Sequence, residues 1–584
     1  MRKYIPIVLV LSLLLSVPAV PLHKQTTAQE EIEFRFEMMV LSWDDFSVYA
    51  GEAIAEQLEA IGIKVEVLPL DDSVMYPRLE KRDYQVEEMS YGFDPIPVHL
   101  YYRFHSSQDY EGGANEWSYH NPQVDQLLEQ AFSTSDREKA RQLLFQVQQI
   151  LAEEVPYIPL YLSNDVHPFA KGWTNWTIMP AGPINWYNRW TPIYIYNTEG
   201  KDTFVVRYPS APEPLSPMVA SNGRALWYCM NVYDSLLTYD PEFNLVPWLA
   251  ESWEISEDGK TITFHLRHDA KWHDGEPVTS KDVAFTFNYI KEKQCPGALY
   301  MPDIIRLLDY VETPDDYTVV VHIKEPYLFA VDAFGLEYII PEHIWKDIED
   351  PDWDPSMAPQ YAIGSGPFKF VEYVPGEYLI LERFEDWWGK KPNVKRIIIR
   401  IIDNDEASLL AIKAGEVSTE RYGVMPAYVE RVRTDPDLQV VETVDQWDYL
   451  IAFNNKIWPF NITKVRQAIA YAINREDIVE KVMGAGTVTE TFVPSVWFGT
   501  YWENPNVKKY EYNPEKAKQL LAEVGFRDID NDGVLEYAPE VEVTPPPSPS
   551  PSPTPAPAKK TWMYGLIILI IIIAVVAYLM TRKK

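Results

Sequence analysis

With 584 residues, 46% hydrophobic and 14% aromatic, the chain can bury more than one core, since single cores stop growing near roughly 250 to 300 residues. A formal charge of −34, from 86 Asp and Glu against 52 Lys and Arg, speaks against a nucleic-acid partner, which needs a basic stripe to neutralise phosphates. Cys229 and Cys295 allow at most one disulfide, and the sequence does not say whether their side chains meet.

In chain order, Arg2 and Lys3 precede an apolar run from Ile5 to about Val17, then small and polar residues. This reads as a secretory signal peptide over 1–28, with Ala28 or Ala19 as cleavage positions. "AGEAIAEQLEAIGIKVEVLPL" from Ala50 puts Ala53, Ile54, Leu58 and Ile61 on one helical face, then alternates Ile63, Val65 and Val67 as a strand. "NPQVDQLLEQAFSTSDREKARQLLFQVQQILAEEVPYIPLYL" predicts two helices, the second capped by Ser133 or Ser135, and a strand at Tyr157 to Leu162. "KTITFHLR" and "DYTVVVHI" alternate as strands, and Thr279 or Ser280 caps a helix over "TSKDVAFTFNYIKEK". The fold class is α/β, or α+β, without an internal repeat.

Towards the C-terminus, "DIDNDGVLEY" supplies Asp528, Asp530 and Asp532 as a calcium candidate, although position twelve of such a loop falls on Pro539 instead of Glu. Residues 541–560 hold a Pro/Ser/Thr stalk, extended at roughly 3.1 Å per residue. Residues 562–580 carry no charge and are long enough to span a bilayer, and Arg582, Lys583 and Lys584 follow on the expected cytoplasmic side. The body is therefore expected outside the cell, tethered to its membrane by a C-terminal helix.

The segment "LVPWLAESWEISEDGKTITFHLRHDAKWHDGEPVTSKDVAFTFNYI", 245–290, resembles the signature of the extracellular solute-binding proteins of family 5, the peptide, nickel and oligosaccharide receptors of ABC importers. "IGSGPFKFVEYVPGEYLILERFEDWWGKKP" (363–392), "AIKAGEVS" (411–418), "AFNNKIWPFNITKVRQAIAYAINREDIVEKV" (452–482) and "YNPEKAKQLLAEVGFRDIDNDGVLEY" (512–537) continue in the family's order. What a member has next stands here at the beginning: "EFRFEMMVLSW", "AIAEQLEAIGIKVEV", "SYGFDP", "NPQVDQLLEQA" and "YIPLYL", within 33–162. Read from 203 to 540 and then from 33 to about 195, the chain resembles one member, circularly permuted, with 194–202 joining the family's usual ends. Two broken copies fused in tandem and an error of gene assembly are the rival readings. Chain ends usually lie at the surface and close together, so permutation is physically tolerable.

The resemblance implies a type II periplasmic-binding-protein clamp with two main lobes and a smaller inserted one. Carried over, lobe III comprises 33–157 and 445–540, lobe I 158–235 and 365–444, and lobe II 236–364. It implies hinge closure on a solute, delivery to ABC permease subunits and, from the stalk and anchor, an archaeal-type member. Candidate ligand residues are Tyr91, Gly92, Asp94, Tyr422, Trp447 and Tyr449. In one register Tyr91 and Asp94 form the aromatic-to-Asp pattern whose carboxylate holds a peptide's α-ammonium group; in the other, Asp94-Pro95 is the family's later Asp-Pro pair and the ligand is uncharged. Aromatic faces serve peptides and oligosaccharides alike, and Trp387 and Trp388 fit core or pocket. No Gly-x-Ser-x-Gly, His-Glu-x-x-His, Cys/His cluster or phosphate-cradling loop is present, so neither catalysis nor a cofactor is expected. A surface hydrolase with two distant carboxylates and a solute sensor are the alternatives.

Overall fold

The computed structural model describes residues 32–538 apart from 93–95, 180–187, 298–299, 353–357, 484–485 and 495–500. The signal peptide, stalk and apolar C-terminal segment, and Asp94, lie outside the described residues. Among those described, no helix is long and apolar enough to cross a membrane.

Local structure follows the apolar periodicity. Helix Asp45–Glu59 starts where Asp44 accepts from the Phe46 N–H, and it buries Ala50, Ile54 and Leu58 at its 3.6-residue repeat. Strand Lys64–Leu70 then returns parallel to Arg35–Leu41. The two expected helices are Pro122–Phe132 and Arg137–Glu154. The second is capped by Asp136, which accepts from the N–H groups of Glu138 and Lys139; Ser133 closes the first helix and Ser135 lies one residue too early. A carboxylate both accepts these bonds and complements the positive helix end, so Asp136 outcompetes the neighbouring hydroxyls. Thr279 does cap Ser280–Lys293, in a reciprocal box with Asp282.

An eleven-stranded mixed sheet organises the molecule, in the order 368–374, 378–383, 396–401, 203–208, 419–420, 157–170, 438–453, 86–92, 35–41 and 64–70, with 486–488 also paired to 157–170. The strand expected to end at Leu162 continues to Ala170. It and Leu438–Phe453 run antiparallel through both halves of the sheet: Tyr157 to Leu162 face Ala452 to Asp448, and Asn164 to Ala170 face Val444 to Leu438. Between these two stretches residues 445–447 stand opposite Ser163, a bulge that bends the ladder at the crossing point. Apart from the sheet, 250–255, 261–266, 318–323 and 308–315 form a four-stranded antiparallel unit covered by Ser280–Lys293. Gly259, at φ 67°, makes the turn between its first two strands.

The segments at either end of the described chain meet. Ile32–Glu33 pairs with Glu536–Tyr537, which pairs with Phe526–Arg527. The Phe34 N–H donates to the Leu535 carbonyl at 2.6 Å, and the Phe34 ring stacks on Phe526 at 4.5 Å.

Candidate functional site

Strand direction marks where the two halves of the sheet face each other. Strands 396–401, 203–208 and 419–420 are mutually parallel on one side of the bulge, and 35–41, 64–70 and 86–92 are mutually parallel on the other. Strand 419–420 is antiparallel to 157–170, while 86–92 is antiparallel to 438–453 and ends with Gly92 opposite Trp447 at the bulge. The carboxyl ends of both triplets therefore point at the crossing strands from opposite sides. In open α/β sheets ligands bind outside such ends, so a solute held here touches both halves.

On one side the last residues are Tyr91 and Gly92. A Cβ on Gly92 would lie 3.2 Å from a Trp447 ring carbon, so the indole rests directly on this backbone and leaves Trp447 40% exposed. Tyr91 is buried, with its Oη 3.0 Å from Glu87 Oε1 and 3.2 Å from Glu116 Oε2. The Arg103 guanidinium lies 3.9 Å from the Tyr91 ring centroid and donates to Glu116 at 3.2 Å, while Trp117 Nε1–H donates to Glu87 at 2.7 Å. Burial, then the nearby Glu116 charge, pushes the Glu87 carboxyl up to about 8. Asp448, beside Tyr91 in the ladder, is wholly buried, and burial holds its carboxyl well above the usual range. Tyr449 points to the opposite face, where its hydroxyl bonds Asp44 Oδ2 at 3.1 Å and its ring stacks on Tyr161 at 4.8 Å.

The other side is built by Tyr208 and by Arg421 and Tyr422 after the short strand Thr419–Glu420. Tyr422 is 37% exposed, and the Arg421 guanidinium lies 4.8 Å from its ring centroid. One residue earlier in each strand, Arg207 faces the other way and pairs with Asp405 at 2.8 Å and Glu420 at 3.4 Å. Tyr91, Gly92, Trp447 and Tyr422 thus lie at or beside the strand ends that face the crossing strands, Trp447 and Tyr422 partly exposed and Tyr91 and Tyr449 buried. Sequence reasoning missed Arg103, Glu87 and Glu116, whose spacing carries no motif, and Arg421, although it stands directly before Tyr422 in "ERYGVMP".

Other candidates find structural places. Trp387 and Trp388 both reach the buried Asp234 carboxylate, at 3.4 and 3.1 Å, together with Trp248 and Arg189; Trp387 is buried in the core and Trp388 partly buried against it. Both cysteines are free and buried. Asp528 and Asp530 bring carboxylate oxygens within 4.8 Å of Glu536, whereas Asp532 accepts from the Val534 N–H. Two cavities of about 450 and 490 Å³ open where the four-stranded unit meets residues 101–137 and 501–502. Their guanidiniums are already paired, Arg137 with Asp332 and Arg306 with Asp303 and Glu325.

Residues 244–560 match the family described as bacterial extracellular solute-binding proteins, family 5 Middle. That is more than half of the chain, and the chain belongs to this family. Among curated relatives it is similar to the oligopeptide-binding protein AppA of Bacillus subtilis, 30% identical over 52% of this chain and 56% of AppA. It is also similar to the dipeptide-binding protein of Escherichia coli, 28% identical over 56% of this chain and 63% of the relative, and to the heme-binding protein A of Haemophilus influenzae, 30% identical over 56% and 63%. The chain thus spans somewhat more than half the length of the curated relatives it matches. Solved structures that resemble it include CtaP of Listeria monocytogenes, 26% identical with TM-score 0.47 over 56% of this chain and 66% of that one. AppA of B. subtilis in complex with a nonapeptide resembles it at 26% identity, with TM-score 0.41 over 57% and 66%.

Proposed function

We propose that the chain is a solute receptor that closes on an oligopeptide and presents it to the permease subunits of an ABC importer. The observation that carries this is the pair of parallel-strand triplets whose carboxyl ends converge on two hinge-crossing strands, in a chain of the solute-binding family. Dipeptide- and oligopeptide-binding relatives favour peptide over oligosaccharide. Titration of the full chain with peptide and oligosaccharide pools, read by tryptophan fluorescence and accompanied by a turnover assay, is the test. Saturable binding without turnover is expected. Turnover without a stable complex would establish the hydrolase reading instead.

The same proposal includes a permuted order, with lobe I built from 158–235 and 365–444 and lobe III from 445–540 and 33–157. Its support is the ladder joining 32–33 to 536–537 and the match to relatives over only part of their length, as expected where one of two exchanged blocks aligns collinearly. Export by the 1–28 leader and tethering by 562–580 rest on the charge and apolar length of those segments. Fractionation of cells before and after removal of 562–580 tests the tether: release of the protein is expected, and unchanged membrane association would refute it.

A further inference from the structure

Two Asn-x-Thr triplets stand in the chain, Asn175-Trp176-Thr177 and Asn461-Ile462-Thr463. In a chain of an extracellular family such triplets are acceptors for N-linked sugar, and neither has proline in the middle. The structure separates the two. Asn175 is exposed but sits in the left-handed region at φ 66°, and its Nδ2 donates to the Tyr194 carbonyl at 2.9 Å, a bond with which an attached sugar must compete. Asn461 is exposed too, and its side-chain amide makes no hydrogen bond with any described residue.

Local geometry turns that amide outward. The Asn461 N–H donates to the Ile457 carbonyl at 2.8 Å, closing one helical turn between strand Leu438–Phe453 and helix Thr463–Ala472. Within it Phe460 points inward, wholly buried against Phe453 and Phe36 at 5.4 and 5.2 Å between ring centroids. Trp458 and Asn461, three residues apart on such a turn, share a side. The Trp458 indole is 39% exposed beside Phe526 and Tyr537, at 5.7 and 5.2 Å. The turn is also remote from the bulge. Phe453 pairs with Val86, the first residue of its strand, whereas Trp447 pairs with Gly92, the last. Extended chain from 447 to 453 spans roughly 20 Å.

We propose that Asn461 is an N-glycosylation site, its oligosaccharide lying on the Trp458 side of the turn and away from the strand ends that face the crossing strands. The donor is an oligosaccharide linked to a polyprenyl phosphate. The Asn461 Nδ2 forms a bond to the anomeric carbon of the first sugar as that carbon's bond to the phosphate oxygen breaks. The lipid phosphate leaves with the bonding electrons, one amide proton passes to a base of the transferase, and Nδ2 keeps its second hydrogen. A sugar placed here covers an exposed indole and leaves the path of the solute open. The site rests on the export reading above, because such triplets are glycosylated on surface loops of secreted chains.

The test uses the full chain isolated from the membranes of the cells that make it, digested and read by tandem mass spectrometry. The peptide containing Asn461 is expected to be heavier by a series of monosaccharide masses, with fragment ions placing them on Asn461. Asn461→Gln and Thr463→Ala should each abolish that added mass, and Thr463→Ser should retain it, since the triplet needs a hydroxyl at its third position. Asn461→Gln alters an exposed side chain without partners, so it is expected to leave the unfolding temperature within a few degrees and solute affinity within about twofold. A second arm adds protease to intact cells. Asn461 without sugar in a chain that this protease digests, or sugar on Asn175 in its place, would overturn the site while leaving export and the receptor reading intact. Asn461 without sugar in a chain that the protease cannot reach would sink the export reading with it.

Discussion

At the scale of single residues, burial decides behaviour that side-chain identity leaves open. Glu87 is an ordinary acidic residue in the sequence, but enclosure beneath Tyr91 and Trp117 pushes its carboxyl from 4.5 to about 8. Between these values the folded chain holds a proton that the unfolded chain has released, so Glu87 costs stability as pH rises from about 4.5 to 8. Its contribution changes by at most about 1.4 kcal/mol per pH unit in that window. Glu87→Gln is expected to flatten the decline of the unfolding temperature between pH 5 and 8, measured by thermal melts in a buffer series; an unchanged slope would show that Glu87 does not carry that proton. The cysteines follow the same logic. Burial pushes the Cys229 thiol well up and that of Cys295 up to about 12. The native protein is expected to resist alkylation at pH 8, and the unfolded, unreduced protein to take up two equivalents by mass spectrometry.

Elements show where local pattern suffices and where it does not. The capped helices and alternating strands of 245–323 formed where the sequence placed them, because periodicity and capping are local properties. The tail of 157–170 beyond Leu162 was not legible: "SNDVHPFA" has little alternation, and pairing with Leu438–Val444 keeps it extended. A similar dependence governs Gly364 in "GSGP", which is fixed by a backbone approach from elsewhere. A Cβ there would lie 1.9 Å from the Val232 carbonyl oxygen. Gly364→Ala is expected to destabilise by about 3 kcal/mol or more, because backbone, not a flexible side chain, must move. A marked fall in the thermal midpoint checks it.

For the whole molecule, the geometry of the two ends gives the permuted reading a direct test. Ile32 lies opposite Tyr537 in an antiparallel pair, so a short turn can join the strands. A chain with 32 and 537 joined by such a turn and opened within 198–202, where Gly200 is exposed at φ 85°, is expected to keep its unfolding temperature within a few degrees and to retain solute binding. Failure of that chain to fold, with the unaltered one stable, would argue that the present order is required.

By itself the sequence determined the fold class, the family and the approximate elements, because the apolar period and the 245–290 motif succession are properties of neighbouring residues. It also offered Tyr91, Gly92, Asp94, Tyr422, Trp447 and Tyr449 as ligand candidates, of which Asp94 lies outside the described residues. Only the tertiary structure decided that Tyr449 is enclosed, that Trp387 is core with Trp388 partly buried against it, and that Arg421 follows the strand beside the one ending in Tyr208. The reason is physical: residues 208 and 421 come side by side only through sheet pairing, and how far a side chain is enclosed depends on every element that surrounds it.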